Sequence, residues 1–295
     1  MRILITGANG FLGYYLAEQL LSKGFLVIAT GKGECRLPFF KNQNFEYHSM
    51  DFTDPYSVHD VFEKVKPEVI IQAGAMSKPD ECELNQMQAY LVNVEGTIQL
   101  LINAEEISSY FIYISTDFVF DGEKGMYSET DKPNPVNYYG RTKLEAEESV
   151  QEYEHGWAII RTVLVYGKNY SGHNNILSTI KQKLENKENY NIVDDQFRTP
   201  TYVEDLARGI VSVVEKRATG IFHISGNEMM TPYDMAIKTA DYLGLDKSLL
   251  KKVNASTFSQ PAKRPLKTGF DISKAKKELN YLPISFEEGL KRTFS

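Results

Sequence analysis

The chain has 295 residues, 42% hydrophobic and 24% charged, the make-up of a folded globular protein with one large domain or two small ones. Its formal net charge of −6 and lack of a basic stripe exclude nucleic acid as an expected partner. No apolar run approaches membrane-spanning length, and the N-terminus enters an apolar strand at once, so a cytoplasmic protein without a membrane partner is expected.

Arg2-Ile3-Leu4-Ile5-Thr6 predicts a buried strand: short, apolar and partly β-branched. Gly7-Ala8-Asn9-Gly10-Phe11-Leu12-Gly13 follows, then a helix from Tyr14 to Lys23 with Leu16, Leu20 and Leu21 inward, stopping at Gly24. Phe25 to Ala29 predicts a second strand, which completes a βαβ unit of about 30 residues. Its glycines suit a dinucleotide: Gly7 for the tight turn, Gly10 for approach of a pyrophosphate to the backbone, Gly13 for close helix–strand packing. The helix N-terminus then offers N–H groups and a positive dipole end to the phosphates.

The end of the second strand reads on the ribose. NAD sites usually place an acid there and NADP sites prefer a cation. Here Thr30-Gly31-Lys32-Gly33-Glu34-Cys35-Arg36 offers no carboxylate at the strand end and has Lys32 and Arg36 close by. This favours NADP(H); Glu34 keeps NAD(H) open.

Phe45 to His48 predicts the third strand, leading into Asp51-Phe52-Thr53-Asp54. Asp51 either accepts from an adenine amine, with Phe52 against the ring, or closes an Asx turn; Asp54 before Pro55 better suits the next helix cap. Val69 to Ala73 predicts the fourth strand, ending in the small residues Ala73-Gly74-Ala75 that a cofactor can approach. A long helical stretch from about Leu84 to Ile107 carries Asn93, and Tyr110 to Ile114 predicts the fifth strand. Ser115-Thr116-Asp117 follows at a carboxyl end, where open parallel sheets bind ligands.

A Gly- and Pro-containing loop then leads to a helix starting near Val136 and carrying Tyr139 and Lys143, four apart and so on one face. A phenol beside an ammonium gives up its proton more readily, which suits reduction of a carbonyl. With 18 tyrosines about one such pair arises by chance, so its surroundings decide its meaning. Trp157 to Thr162 predicts strand six.

After Val165-Tyr166-Gly167 the rhythm changes. Residues 168–190 are polar and mostly helical, Tyr190 to Val193 and Ile221 to Ile224 read as strands, Val203 to Lys216 as a helix, and 225–295 as mainly helical. The expected fold is α/β: a Rossmann-type doubly wound parallel sheet in residues 1–167, with 191–224 returning to it. A smaller, mainly helical substrate-binding domain, 168–190 and 225–295, is interleaved with it and closes a cleft over the strand ends.

Cys35 and Cys82 lack metal-ligand spacing and are expected as reduced thiols. The histidines (His48, His59, His155, His173, His223) are scattered, so no metal is expected. Asn169-Tyr170-Ser171 and Asn254-Ala255-Ser256 match the glycosylation pattern, which carries no meaning in the cytoplasm.

Taken together, the Gly7/Gly10/Gly13 turn, Ser115-Thr116-Asp117-Phe118-Val119-Phe120-Asp121-Gly122, Tyr139 with Lys143, and Asp195-Gln196-Phe197 continuing to Pro200-Thr201 give a chain that resembles an extended short-chain dehydrogenase/reductase. It is most similar to the dTDP-4-dehydrorhamnose reductase family, and Lys263-Arg264-Pro265 followed by Asp271 resembles that family's C-terminal region. The resemblance implies a reductase of a 4-keto-6-deoxy sugar nucleotide in dTDP-L-rhamnose biosynthesis. Tyr139 would be proton donor, Lys143 would lower its pKa and hold the nicotinamide ribose, and Thr116 would bond the substrate carbonyl. Asp117 would contact the sugar and Asn93 would steady a relay water. Asn9, Gly10, Phe11, Leu12, Asp51, Phe52, Ala73, Gly74 and Ala75 would line the cofactor, and Arg264 the substrate.

Leu164 stands where the family usually carries a tryptophan that packs on the sugar, and a leucine cannot stack in that way. Arg198 replaces a small residue and is either a phosphate clamp or a salt-bridge partner. Two other readings stay open. One is a nucleotide-sugar epimerase on the same frame; dehydration is disfavoured because Phe118, not a second acid, follows Asp117. The other is a non-catalytic NADP-binding subunit resembling the methionine adenosyltransferase β subunit, against which Thr116, Tyr139 and Lys143 are all present. A homodimer is left open.

Overall fold

The structure is a computed structural model that describes every residue except 171, 173 and 174. His173 and Ser171 of the Asn-Tyr-Ser pattern therefore lie outside the described residues. The first βαβ unit forms as its pattern predicts: β1 (Arg2–Thr6), α1 (Phe11–Ser22) and β2 (Leu26–Gly31). Then come β3 (Phe45–Ser49), α2 (Pro55–Val65) and β4 (Val69–Gln72). Asp54 caps α2 by accepting from the Tyr56 N–H, with Pro55 in the first turn.

The stretch expected as one long helix is broken. After α3 (Pro79–Leu84) it runs as α4 (Gln86–Tyr90), a π-helical turn at Leu91–Glu95 and α5 (Gly96–Glu106). The wide turn carries Asn93, the placement usual for a π-bulge beside a functional site. β5 (Tyr110–Thr116) and α6 (Tyr138–Gln151) follow; α6 starts two residues later than expected because Asn137 caps it through the Gly140 N–H at 2.8 Å.

The chain continues through β6 (Trp157–Thr162), β7 (Val165–Tyr166), α7 (Ile176–Glu185), β8 (Tyr190–Val193) and β9 (Thr201–Tyr202). α8 (Val203–Lys216), β10 (Gly220–His223), α9 (Pro232–Leu243), β11 (Leu250–Val253), α10 (Ser273–Leu279) and α11 (Phe286–Phe294) complete it. The main sheet is parallel throughout, in the order β10-β6-β5-β4-β1-β2-β3. Strand order reverses between β1 and β4, the crevice where such sheets bind ligands.

Alternation along the strands supplies both covered faces. Ile3 and Ile5 face Leu16 and Leu20 of α1 and Leu206 and Ile210 of α8, whereas Leu4 and Ile70 face Val58 and Phe62 of α2 and Leu100 of α5. A third core joins Leu177 and Ile180 of α7, Met235 of α9 and Phe286 of α11. The return to the main sheet begins later than residue 191: β8 pairs with β11, and α8 and β10 make the return. Ile192 is the reason, since its side chain belongs to the third core with Leu250.

His223 on β10 lies fully buried, stacked on Phe270 at 3.9 Å, with Nδ1 3.0 Å from the Tyr127 carbonyl. Burial first, and Arg161 second, push its pKa down to about 3. Its folded pKa is depressed, so between about pH 6.5 and 3 the unfolded chain binds the extra proton and stability falls as pH falls. Unfolding free energies from urea titrations at pH 7, 6 and 5 are expected to drop more in the wild type than in His223→Gln, by up to about 1.4 kcal/mol per pH unit. Parallel pH dependences would refute this.

Candidate active site

The glycine turn is shaped as a phosphate cradle. Gly7 has φ +63°, and a Cβ there would meet the Gly74 Cα at 2.8 Å; one at Gly13 would meet the Ala8 carbonyl oxygen at 2.4 Å. A Cβ at Gly10 would meet, within 4 Å, the Gly7 oxygen alone, so its outer side is open, and no side chain caps α1. Phe11 and Leu12 open the helix, half-buried. The open backbone and uncapped helix fit a dinucleotide pyrophosphate. Thr6, missed in the sequence reading, ties the crevice together: its Oγ1 accepts from the Ala73 and Gly74 N–H groups at 3.1 Å and donates to Gln72.

Asn9 fixes the loop after β2. Its Nδ2 donates to the Glu34 carbonyl at 2.9 Å and the Tyr47 hydroxyl at 3.1 Å, while Oδ1 accepts from the Arg36 N–H at 2.8 Å. Tyr47, also missed, caps the Gly31 and Gly33 carbonyls at 2.9 Å. Lys32 is exposed and paired with Asp51 at 2.7 Å. Asp51 also closes the Asx turn, accepting from Thr53 N–H and hydroxyl. Burial pushes its pKa up, but Lys32 and Thr53 outweigh that and the net shift is down. Phe52 packs between Gly74 and Gly96, whose added Cβ atoms would both fall 2.6 Å from its ring. Ala75 is exposed just beyond.

Asn93 does not present its amide to open space. Oδ1 accepts from the Met76 N–H at 2.8 Å, and Nδ2 donates to the Met76 carbonyl at 3.1 Å and to Thr142 Oγ1 at 3.0 Å. The amide thus clamps the loop after β4 to α6.

The strand end and α6 meet as the sequence expected. Tyr139 is buried against Cys82 and Ala89, with Phe118 edge-on at 5.7 Å, and its hydroxyl faces Thr116. Thr116 Oγ1 donates to Asp117 Oδ1 at 3.1 Å and accepts from the Phe118 N–H at 3.2 Å. The lowered Tyr139 pKa expected from Lys143 is overturned. Burial raises it well above the usual phenol value, Asp117 and Cys82 raise it further, and the Thr116 hydrogen bond only partly opposes them. Lys143 donates to the Ile114 carbonyl at 2.8 Å and lies 4.1 Å over the Tyr113 ring, its pKa pushed down by burial to about 7. A phenol so placed keeps its proton at neutral pH, the state a donor needs before reduction.

The predicted substrate residues converge. A cleft of about 210 Å³ is lined by Asp117, Leu164, Arg198 and Arg264, together with Phe118 and Gln196. Leu164 holds φ +32°, a left-handed conformation rare for leucine and frequent at functional turns. Arg198 resolves towards a structural tie: it is buried, donates to the Phe197, Leu266 and Pro265 carbonyls, and its Nε lies 3.6 Å from Asp117. Burial raises the Asp117 pKa, while Arg198 and a hydrogen bond from Thr268 pull against it. Arg264 is held bidentate by Asp80, at 2.5 and 2.6 Å. Gln196 belongs to the Asp195-Gln196-Phe197 run noted in the sequence, whereas Asp80 and Thr268 carry no short motif that would single them out.

Residues 1–295 match the family described as "RmlD substrate binding domain". The chain belongs to that family. It is 33% identical over 279 residues to the methionine adenosyltransferase 2 subunit beta of Bos taurus, covering 92% of this chain and 81% of that one. It is also 33% identical to the dTDP-4-dehydrorhamnose reductase of Aggregatibacter actinomycetemcomitans, covering 98% and 97%. The structure of dTDP-4-dehydrorhamnose reductase from Bacillus anthracis in complex with NADP superposes with a TM-score of 0.86 at 29% identity, covering 99% and 98%. The Clostridium acetobutylicum dTDP-4-dehydrorhamnose reductase structure gives 0.85 at 31%, covering 99% and 98%. The family match thus spans the whole of this chain.

Proposed function

We infer that the chain is an NADP(H)-dependent oxidoreductase that reduces the C4 carbonyl of a 4-keto-6-deoxy nucleotide sugar, most closely dTDP-4-dehydrorhamnose. The carrying observation is the Tyr139 hydroxyl facing Thr116 at the carboxyl end of β5, beside the glycine crevice. NADP(H), when bound, supplies the hydride. Gly7, Gly10, Gly13, Phe11 and Leu12 would hold its pyrophosphate, and Lys32 with Arg36 its 2′-phosphate. Thr116 has one hydroxyl proton, which goes to Asp117; the same proton can bond a substrate oxygen as charge grows there. Tyr139 then donates its proton to that oxygen. Lys143, an ammonium with two further N–H donors beyond the one on Ile114, orients the ribose and balances the phenolate left behind. Residues 1–167 with α8 and β10 form the dinucleotide half, and the rest encloses the sugar nucleotide in a cytoplasmic enzyme.

The assay is loss of reduced-nicotinamide absorbance on mixing the protein with dTDP-4-dehydro-6-deoxy-L-mannose and NADPH, then NADH. Turnover with tighter NADPH is expected. Absence of decay at any enzyme concentration would remove this substrate, and tighter NADH would refute the role of Lys32 and Arg36. A second reading, a non-catalytic subunit, is favoured by the likeness to methionine adenosyltransferase 2 subunit beta. Stable co-elution with a methionine adenosyltransferase catalytic subunit, without turnover, would establish it instead.

A further inference from the structure

We propose that Glu147 is a positioning residue for this site: it fixes the register of α6 on the end of β5 and sets a negative charge against Lys143. The inference rests on the reductase reading for its meaning, though not for its geometry.

Tyr139, Lys143 and Glu147 recur every four residues and share the inner face of α6. Each meets the end of β5 at its own level. Tyr139 faces Thr116, Lys143 donates to the Ile114 carbonyl, and Glu147 accepts from the Ser115 hydroxyl at 2.5 Å. Glu147 also takes a two-pronged grip from Arg161, Nε at 2.9 Å and Nη2 at 2.5 Å. Ser115 and Arg161 are direct partners across β5 and β6, so one carboxylate joins the helix to two strands one residue before Thr116.

All three side chains are buried, and Arg161 Nη1 has no hydrogen-bond partner among the described residues. A buried ion pair left partly unsatisfied adds little net stability; fixing a register is its best-attested use. Charge gives it a second effect. The groups facing Lys143 are the Cys82 thiol from α3, the Tyr139 phenol, the Tyr113 ring from β5, and Glu147 backed by Arg161 from β6. Cys82 and Tyr139 have raised pKa values and stay neutral at pH 7. Glu147 is therefore the carboxylate that opposes the effect of burial on Lys143.

The test is the Lys143 titration, followed by ε-13C lysine NMR in the full-length protein with the Lys143→Arg spectrum for assignment. In Glu147→Gln the midpoint is expected to fall by about one pH unit, a tenfold loss of proton affinity, and the alkaline limb of the kcat profile to move with it. Should the lone Arg161 charge unfold that variant, the pair Glu147→Gln with Arg161→Met leaves no unpaired ion and should move the midpoint the same way. An unchanged midpoint in a folded variant overturns the inference. A shifted midpoint in a protein whose wild type never turns over the keto-sugar upholds Glu147 and rejects the reductase reading instead.

Discussion

Tyr139→Phe is expected to lose roughly 10²–10⁴-fold in kcat, the usual contribution of a positioned proton donor, while keeping its affinity for NADPH. The ring and the hydroxyl do separate things. The ring is packed by Cys82, Ala89 and the edge of Phe118, contacts that phenylalanine reproduces. The hydroxyl faces Thr116, and its removal leaves no buried charge. Steady-state kinetics and fluorescence titration of NADPH check both halves. Full retained activity would unseat Tyr139 as donor; joint loss of turnover and cofactor binding would mean that the phenol shapes the crevice. Because burial raises the Tyr139 pKa, the phenol stays protonated across the working range and gives the profile no limb near neutrality. Lys143, near 7, is the group whose loss of charge should appear there as activity falling with rising pH.

The architecture was legible because two patterns write it out. The continuous apolar run Ile3-Leu4-Ile5 and the glycine spacing at 7, 10 and 13 specify a strand, a turn and a helix with little dependence on distant contacts. The ends of elements were less legible. The π-helical turn at Leu91–Glu95 arises where Asn93 is drawn to Met76 and Thr142, both far away in sequence. The site shows the same division. Thr116 and Tyr139 could be brought together from strand-end logic, whereas the pKa relation between Lys143 and Tyr139 could not. Spacing of four places two side chains on one face but says nothing of burial, and burial dominates both groups. Asp80 and Thr268 escaped because their meaning lies in partners about 150 to 180 residues away, Arg264 and Asp117.

Arg198 stands at the junction of those long-range ties, so its removal should have the largest effect on stability. The segment from Ala262 to Thr268 crosses the cleft mouth and is pinned at several points. Asp80 holds Ala262 and Arg264, Asn137 donates to the Lys263 carbonyl at 2.7 Å, Arg198 takes the Pro265 and Leu266 carbonyls, and Thr268 bonds Asp117. Arg198 also brings a cation to the buried Asp117 carboxylate, its Nε 3.6 Å away. Arg198→Met keeps the volume of the stem but strands two strap carbonyls and leaves Asp117 without its cation. Breaking a buried pair from one side costs about 3–5 kcal/mol, although protonation of Asp117, already favoured by burial, should bring the loss to the lower end. Thermal melts are expected to shift down by about 5–10 °C, and dTDP affinity should fall because the strap lines the cleft through Arg264. Cofactor binding, which depends on the glycine turn at the other end of the crevice, should change little. A melting point within a degree of the wild type, with weakened dTDP binding, would instead assign Arg198 to the ligand as a phosphate clamp.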